Sequence, residues 1–320
     1  MKILVIQNRM GIGDMVIFLP FLEAISKKFN SPVTLLVKES SKAHHYLINN
    51  KHVDKIISLK RSNFKTDYHD GLLGFFRLIK ELKEHSFEKV FIFNSSLRYN
   101  LTCKLAGINK IYQYPLFKKN KQHIIDAAKK LLINSLNLNI ESNPKIIIKE
   151  DSIEQAKNKF NIKDNQINIL LGIGGSGPTK RIPSNKFIKF IELCLEKYDC
   201  KFFLATGKKD EEQKILKEIT SAYENKCIPL DNLTISETLP IIKNCKISIC
   251  NDSSFSHLSA GLGLPTIVLM CDTPLLYGNY SLKMHPIIPD GVKKVSHGTN
   301  GKEKINPKKI FEKFESIIIN

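Results

Sequence analysis

Four short stretches hold the residue types from which a site for an anionic ligand is built. Gly11-Ile12-Gly13-Asp14 follows an apolar run and opens an amphipathic one. Glycines let the backbone turn tightly there, and a helix start offers free N–H groups. Val16 stands where a dinucleotide fingerprint needs Gly or Ala, and an acidic side chain at the turn repels a pyrophosphate. Asp14 can cap the helix with one oxygen and turn the other to a ligand. The loop at 172–181 reads G-I-G-G-S-G-P-T-K-R. Lys180 has neither the Gly before it nor the Ser or Thr after it that a nucleotide-hydrolysing phosphate loop requires. Small residues and two adjacent cations, Lys180 and Arg181, instead suit a diphosphate held by backbone N–H groups and ammonium charge.

The third stretch, Asn251-Asp252-Ser253-Ser254-Phe255-Ser256-His257, places small polar groups where a helix begins. Asp252 or Ser253 can cap that helix, or the group can form a second phosphate site with His257 one turn in. The fourth, Gly207-Lys208-Lys209-Asp210-Glu211-Glu212, sets carboxylates in a first helical turn. The helix dipole favours them there, and a carboxylate in that place can also bind ribose hydroxyls.

These stretches need a scaffold that delivers them to one edge, and the apolar pattern supplies one. Short apolar runs at 2–6, 33–37, 56–59 and 90–93 read as strands, and 110–114 as a further one; amphipathic segments lie at 15–29, 72–85, 101–106 and 124–138. The polar, Asn- and Lys-rich stretch at 141–165, with a helix at 153–160, reads as a junction. The alternation then restarts with strands at 167–171, 201–205, 247–250 and 266–270, while 272–290 shows little pattern and 310–318 closes the chain as a helix. Strands alternating with helices predict parallel sheets with right-handed crossovers. The expected domains are 1–160 and 161–320, and the three motifs of the second fall at strand ends, where open α/β sheets bind ligands.

Composition narrows the class. The chain has 320 residues, 42% hydrophobic and 25% charged, which excludes disorder as the main state. Its 49 basic and 31 acidic residues leave a net +18, and 27 against 14 of them fall in residues 1–160. Such a half suits an anionic membrane surface, a phosphorylated acceptor or nucleic acid. Nucleic acid is disfavoured because no recognised binding module is present and Trp is absent. The apolar run at 15–22 is too short to span a bilayer and has Asp14 before it and Glu23 after it, so it is a poor signal-peptide core. Seven Cys without a C-x-x-C pair predict reduced, buried thiols and a cytoplasmic setting.

Taken together, I-x-x-x-x-G-I-G-D-x-V, G-G-S-x-x-x-K-R-x-P and N-D-S-x-x-x-H-L-x-A-x-L-G-x-P resemble glycosyltransferase family 9, whose members include the ADP-heptose:lipopolysaccharide heptosyltransferases. The motifs run from Ile6 to Pro265. The resemblance implies a GT-B fold: two Rossmann-like domains facing across a cleft, an N-terminal acceptor-binding domain, a C-terminal nucleotide-sugar domain, and a final helix (306–319) crossing back to the first. It implies Asp14 as catalytic base. Gly175, Ser176 and Lys180 would meet the diphosphate, and Glu211 the ribose. Asp252, Ser253, Ser254 and His257 would complete the donor site. The implied reaction is an inverting, metal-independent transfer, with no cofactor beyond an ADP-linked nucleotide sugar, to an anionic glycolipid at the inner face of the cytoplasmic membrane.

On the acceptor side, Gly13, Lys60, Arg61 and Arg98 are candidates, with Lys65, Lys118 and Lys119 beside them. The chain departs from the family pattern in three places. Ser253-Ser254 replaces Thr-Gly, Ile182 stands where an aromatic is usual, and Cys271-Asp272-Thr273-Pro274 replaces a Gly-Pro-Thr element. A different donor sugar, or a non-catalytic nucleotide-sugar binder, are the alternative readings.

Overall fold

The computed structural model describes every residue except 10, 62–66, 117–122 and 320. The chain divides into two compact units, Met1–Pro144 and Lys145–Asn320.

In the first unit the order is β1 (Ile3–Gln7), α1 (Ile12–Phe29), β2 (Val33–Lys38), β3 (Val53–Leu59), α2 (Gly71–His85), β4 (Lys89–Ile92), α3 (Leu97–Leu105), β5 (Lys110–Gln113) and α4 (Ile124–Leu136). The five strands form a parallel sheet in the order β3-β2-β1-β4-β5. Every residue of the central strand β1 is buried, the continuous apolar pattern of a strand covered on both faces. α1 packs with α4, and α2 with α3. Leu78 and Leu82 of α2 meet Leu4, Ile6 and Ile92 of the sheet in one apolar cluster.

The second unit contains α5 (Glu150–Lys159), β6 (Ile167–Gly172), α6 (Ser184–Leu195), β7 (Cys200–Ala205), α7 (Asp210–Ala222), β8 (Cys227–Pro229), α8 (Ile235–Lys243), β9 (Ile247–Asn251), α9 (Ser254–Gly261), β10 (Thr266–Leu269), β11 (Met284–Ile287) and α10 (Pro307–Ile318). Its six parallel strands run β11-β10-β9-β6-β7-β8. In both sheets the order reverses beside the first strand of the unit, the switch point at which open α/β sheets bind ligands.

Three expectations need correction. The division falls at 144/145 rather than at 160, because α5 packs against α8 and its Asn244 side chain bonds the Ile153 carbonyl at 2.9 Å. The final helix, expected on the first domain, packs against α6 instead. Its Ile310, Phe311 and Phe314 join the second unit's core, with Phe314 edge-on to Phe190 at 5.8 Å. The stretch 272–290 is not patternless loop: it contains β11, and β8 also lay unforeseen. Both are short edge strands carrying a proline, Pro286 and Pro229, and proline is tolerated in sheets at edges.

All seven cysteines are free and buried. Burial pushes the thiols of Cys103, Cys227, Cys250 and Cys271 up to about 12, which leaves them unreactive.

Candidate active site

In the first unit, α1 begins directly after β1, and Asp14 stands in its first turn. Its Oδ2 accepts the Gly11 N–H at 3.3 Å, and its Oδ1 lies 3.6 Å from the Arg9 guanidinium. One oxygen therefore holds the helix start while the other stays available beside a cation. Gly13 sits in the same turn, half-buried. The Arg9 backbone N–H donates to Gln7 Oε1 at 2.6 Å, which folds the chain back over the end of β1. Gln7 Nε2 is buried without a hydrogen-bond partner, as is the Tyr114 hydroxyl. Tyr114 stands edge-on to Phe93 at 6.1 Å. Burial raises its pKa, against the pull of the nearby Arg9 charge. None of Arg9, Gln7 or Tyr114 carries a sequence signal of function; only their place at strand ends marks them.

The cations expected to face an acceptor are more committed than the sequence suggests. Arg61 Nε donates to Asp70 Oδ1 at 3.0 Å, and its Nη1 reaches the Tyr99 hydroxyl at 3.4 Å. Arg98 Nη2 donates to the His69 carbonyl at 2.9 Å, and its guanidinium lies 5.3 Å from the Phe75 ring centroid. Lys60 donates its backbone N–H to His69 Nδ1 at 3.1 Å and leaves its side chain exposed. This knot fastens the segment after β3 onto α2 and α3. Lys65, Lys118 and Lys119 lie outside the described residues.

In the second unit, the ends of β6, β7 and β9 bring the remaining motifs together. Lys180 Nζ donates to Asp252 Oδ2 at 2.7 Å across 72 residues of sequence. Burial opposes the charge on Asp252, but the Lys180 ammonium overrides it and holds the carboxyl below its ordinary range. Asp252 is thus occupied by Lys180. Ser253 is the N-cap residue of α9 without a side-chain cap bond, and its Oγ is buried with no partner. Neither residue caps the helix through its side chain. The first N–H groups of α9 and the Ser253 hydroxyl are thus donors gathered at one helix start, beside the Lys180–Asp252 pair. Ser254 is half-buried in the same turn. His257 Nδ1 meets the Tyr280 hydroxyl at 2.8 Å, and the two rings stack at 5.6 Å and 18°.

The Gly-rich loop is shaped from beneath. Gly175 donates its N–H to Glu212 Oε1 at 2.9 Å and accepts from Arg181 Nε at 3.1 Å. Both main-chain groups of Gly175 are therefore used inside the protein, while Ser176 is exposed. Arg181, itself buried, pairs on its other side with Glu211, which is exposed. Glu212, one of the three carboxylates of that first turn, lies with Leu216 and Ile219 on the buried side of α7 and so faces inward rather than towards a ligand. It fits because two neighbours lack side chains. A Cβ on Gly174 would lie 2.8 Å from Glu212 Oε1, and one on Gly207 would lie 2.5 Å from Oε2. Gly174→Ala is accordingly expected to destabilise the protein by about 1–3 kcal/mol, the usual range for overpacking. Thermal unfolding measures it, and an unchanged midpoint would show that Glu212 yields freely.

Among the described residues, no three His, Cys, Asp or Glu side chains gather as a cation would require. No helix of the described residues is long and apolar enough to cross a membrane.

Two parallel α/β sheets, each with polar and charged side chains at its strand ends, make a fold of the GT-B type. The chain belongs to glycosyltransferase family 9 (heptosyltransferase), whose model matches residues 75–283. That span takes in Lys180, Glu211 and the segment 252–257 but not Asp14. Lipopolysaccharide heptosyltransferase 1 of Campylobacter coli is 23% identical over 92% of this chain and 90% of its own. Among solved structures, the family 9 glycosyltransferase of Veillonella parvula superposes with a TM-score of 0.79 at 19% identity, covering 99% of this chain and 97% of its own. The ADP-heptose heptosyltransferase II of E. coli gives 0.76 at 17% identity, covering 100% and 99%.

Proposed function

We propose that this enzyme transfers a heptose from ADP-heptose to a lipopolysaccharide precursor, with inversion and without a metal ion, on the cytoplasmic side of the membrane that carries the acceptor. The observation that carries the reading is the Lys180–Asp252 pair set against the start of α9. It offers a departing diphosphate an ammonium and helix N–H groups, which supports stabilisation of the leaving charge without a metal ion. The names of the Campylobacter coli and E. coli relatives support the heptose, the ADP carrier and the lipopolysaccharide acceptor.

In this mechanism Asp14 Oδ1 takes the proton of an acceptor hydroxyl. The hydroxyl oxygen attacks the anomeric carbon from the face opposite the diphosphate. The bond to the diphosphate oxygen breaks with its electron pair, and ADP leaves. Glu211 would hold the ribose hydroxyls. Gly175 would shape the loop from which Ser176 and Lys180 reach the phosphates. Gly13 and the exposed Lys60 side chain would face the acceptor, with Arg61 and Arg98 fixing the segment that presents Lys60. Tyr280 shares a hydrogen bond through its hydroxyl with His257 Nδ1 and stacks on its ring, which would hold His257 in place at the donor site. Tyr280→Phe keeps the stacking and deletes that bond. It is expected to lower kcat/KM about tenfold, the worth of one such hydrogen bond. Steady-state kinetics with either substrate limiting would show it, and an unchanged kcat/KM would leave the Tyr280 hydroxyl without a role.

A panel of nucleotide sugars, assayed with a heptose-free lipopolysaccharide core and with and without EDTA, tests the whole reading. Transfer from ADP-heptose alone, indifferent to EDTA and giving the opposite anomer by NMR, is the expected result. Donor binding with no transfer from any sugar would make the chain a binding protein.

A further inference from the structure

The outer face of α2 is exposed among the described residues, yet its first turns are apolar on that side too. Leu78 and Leu82 face the core, whereas Leu72, Leu73 and Phe76 point outward, 73%, 72% and 57% exposed. Tyr68, just before the helix, is 53% exposed. Exposed leucines and phenylalanine clustered in this way mark an interaction surface. At 100° per residue, Lys80 and Lys83 share the outward face with Leu72 and Phe76 further along the helix, and the exposed Glu84 at its flank leaves that stretch net basic with Arg77. Arg77 lies beside Tyr68, its guanidinium 4.7 Å from the ring centroid. The unit that carries this helix has 23 basic against 11 acidic residues.

We infer that the outer face of α2 docks on an anionic lipid bilayer, with Leu72, Leu73 and Phe76 entering the headgroup–acyl boundary and Arg77, Lys80 and Lys83 meeting lipid phosphates. An apolar tip followed by a basic shaft is the arrangement of an interfacial helix. Each Lys or Arg at an anionic surface adds attraction that falls off within a Debye length. Charge selects lipid over a second copy of the chain, because self-association through this face would set two basic units against each other. The inference rests on the acceptor being membrane-borne, and it gives the enzyme a fixed seat beside that acceptor.

Vesicle binding without any sugar donor tests the surface separately from the reaction. The full chain should sediment with vesicles of equal parts phosphatidylglycerol and phosphatidylcholine, weakly with phosphatidylcholine alone, and should release at high salt. The double variant Leu72→Asp/Phe76→Asp should lose at least about tenfold in partitioning. Its thermal midpoint and its transfer to a delipidated acceptor should be unchanged, since both side chains are exposed. The chain has no Trp, so Phe76→Trp supplies a single tryptophan, excited selectively over tyrosine, whose emission should shift to the blue on adding the anionic vesicles. Equal partitioning of the double variant, no vesicle binding by the parent chain, or no emission shift would overturn the inference. So would a parent dimer that the double variant converts to monomer. Failure of heptose transfer with vesicle binding intact would overturn the proposed reaction and leave the docking surface standing.

Discussion

Asp14→Asn should fold normally and lose at least about 100-fold in turnover, the usual scale for removing a general base. The substitution is nearly isosteric, and the two carboxylate oxygens have separate tasks. The Asn side-chain oxygen can still accept the Gly11 N–H, so the start of α1 survives. The contact with Arg9 at 3.6 Å involves a half-exposed guanidinium and contributes little to stability. An amide has no basic lone pair to take a proton, so the acceptor hydroxyl must attack undeprotonated. Donor binding should be unaffected, which places the whole loss in kcat. Near-normal turnover would remove Asp14 from the reaction. A collapse of the thermal midpoint would show the carboxylate to be structural first.

Lys180→Ala should have the largest combined effect, on the donor and on the fold. Asp252 is 5% exposed, and its charge is tolerated because the ammonium sits 2.7 Å away. Removing one partner of a buried pair leaves the other stranded, at a cost on the order of 3 kcal/mol. ADP affinity should fall at least about tenfold with the loss of a charge-assisted contact.

The two effects separate by pH. In the parent protein the Asp252 carboxyl is held below its unfolded value. Its contribution to stability is therefore present above the unfolded pKa and fades as pH falls through the folded one. Without Lys180 the strongest influence opposing burial is gone, so that pKa rises and the variant is relieved by protonation. The stability gap between parent and variant should be widest near neutrality and close on acidification. A gap that is constant with pH would mean that Asp252 is not the stranded group, and unchanged ADP affinity by calorimetry would remove Lys180 from the donor site.

Much of this architecture is legible in the chain itself. Continuous apolar runs such as Ile3–Ile6 become central strands because a parallel sheet is covered on both faces. Gly-rich turns and small polar residues at strand ends mark the site because backbone N–H groups must approach a ligand there. What escaped reading is long-range. Nothing local pairs Lys180 with Asp252, or ties Arg61 and Arg98 into a knot around Asp70 and His69. The resemblance singles out Glu211, and only the folded chain shows its neighbour Glu212 buried under the glycine loop. Tyr280 lies in a stretch without periodicity, and its meaning comes from stacking on His257. The final helix has a strongly apolar face, but amphipathicity says only that a helix packs, not on which partner.

The edge strands of the second unit hold one more consequence. In a parallel ladder successive N–H groups alternate sides. On β8, Leu230 N–H reaches back to Leu204, so the groups of Cys227 and Pro229 face away from the sheet. Cys227 N–H is taken by the Tyr223 carbonyl, and Pro229 has none. On β11 the outward groups are those of Met284, whose N–H is taken by the Ser281 carbonyl, and Pro286, which again has none. At each end of the sheet the outward row of these strands offers a stranger acceptors but no donor. Both rims are thus mute to strand-by-strand recruitment, so copies crowded together cannot zip through this sheet into a continuous β-ribbon.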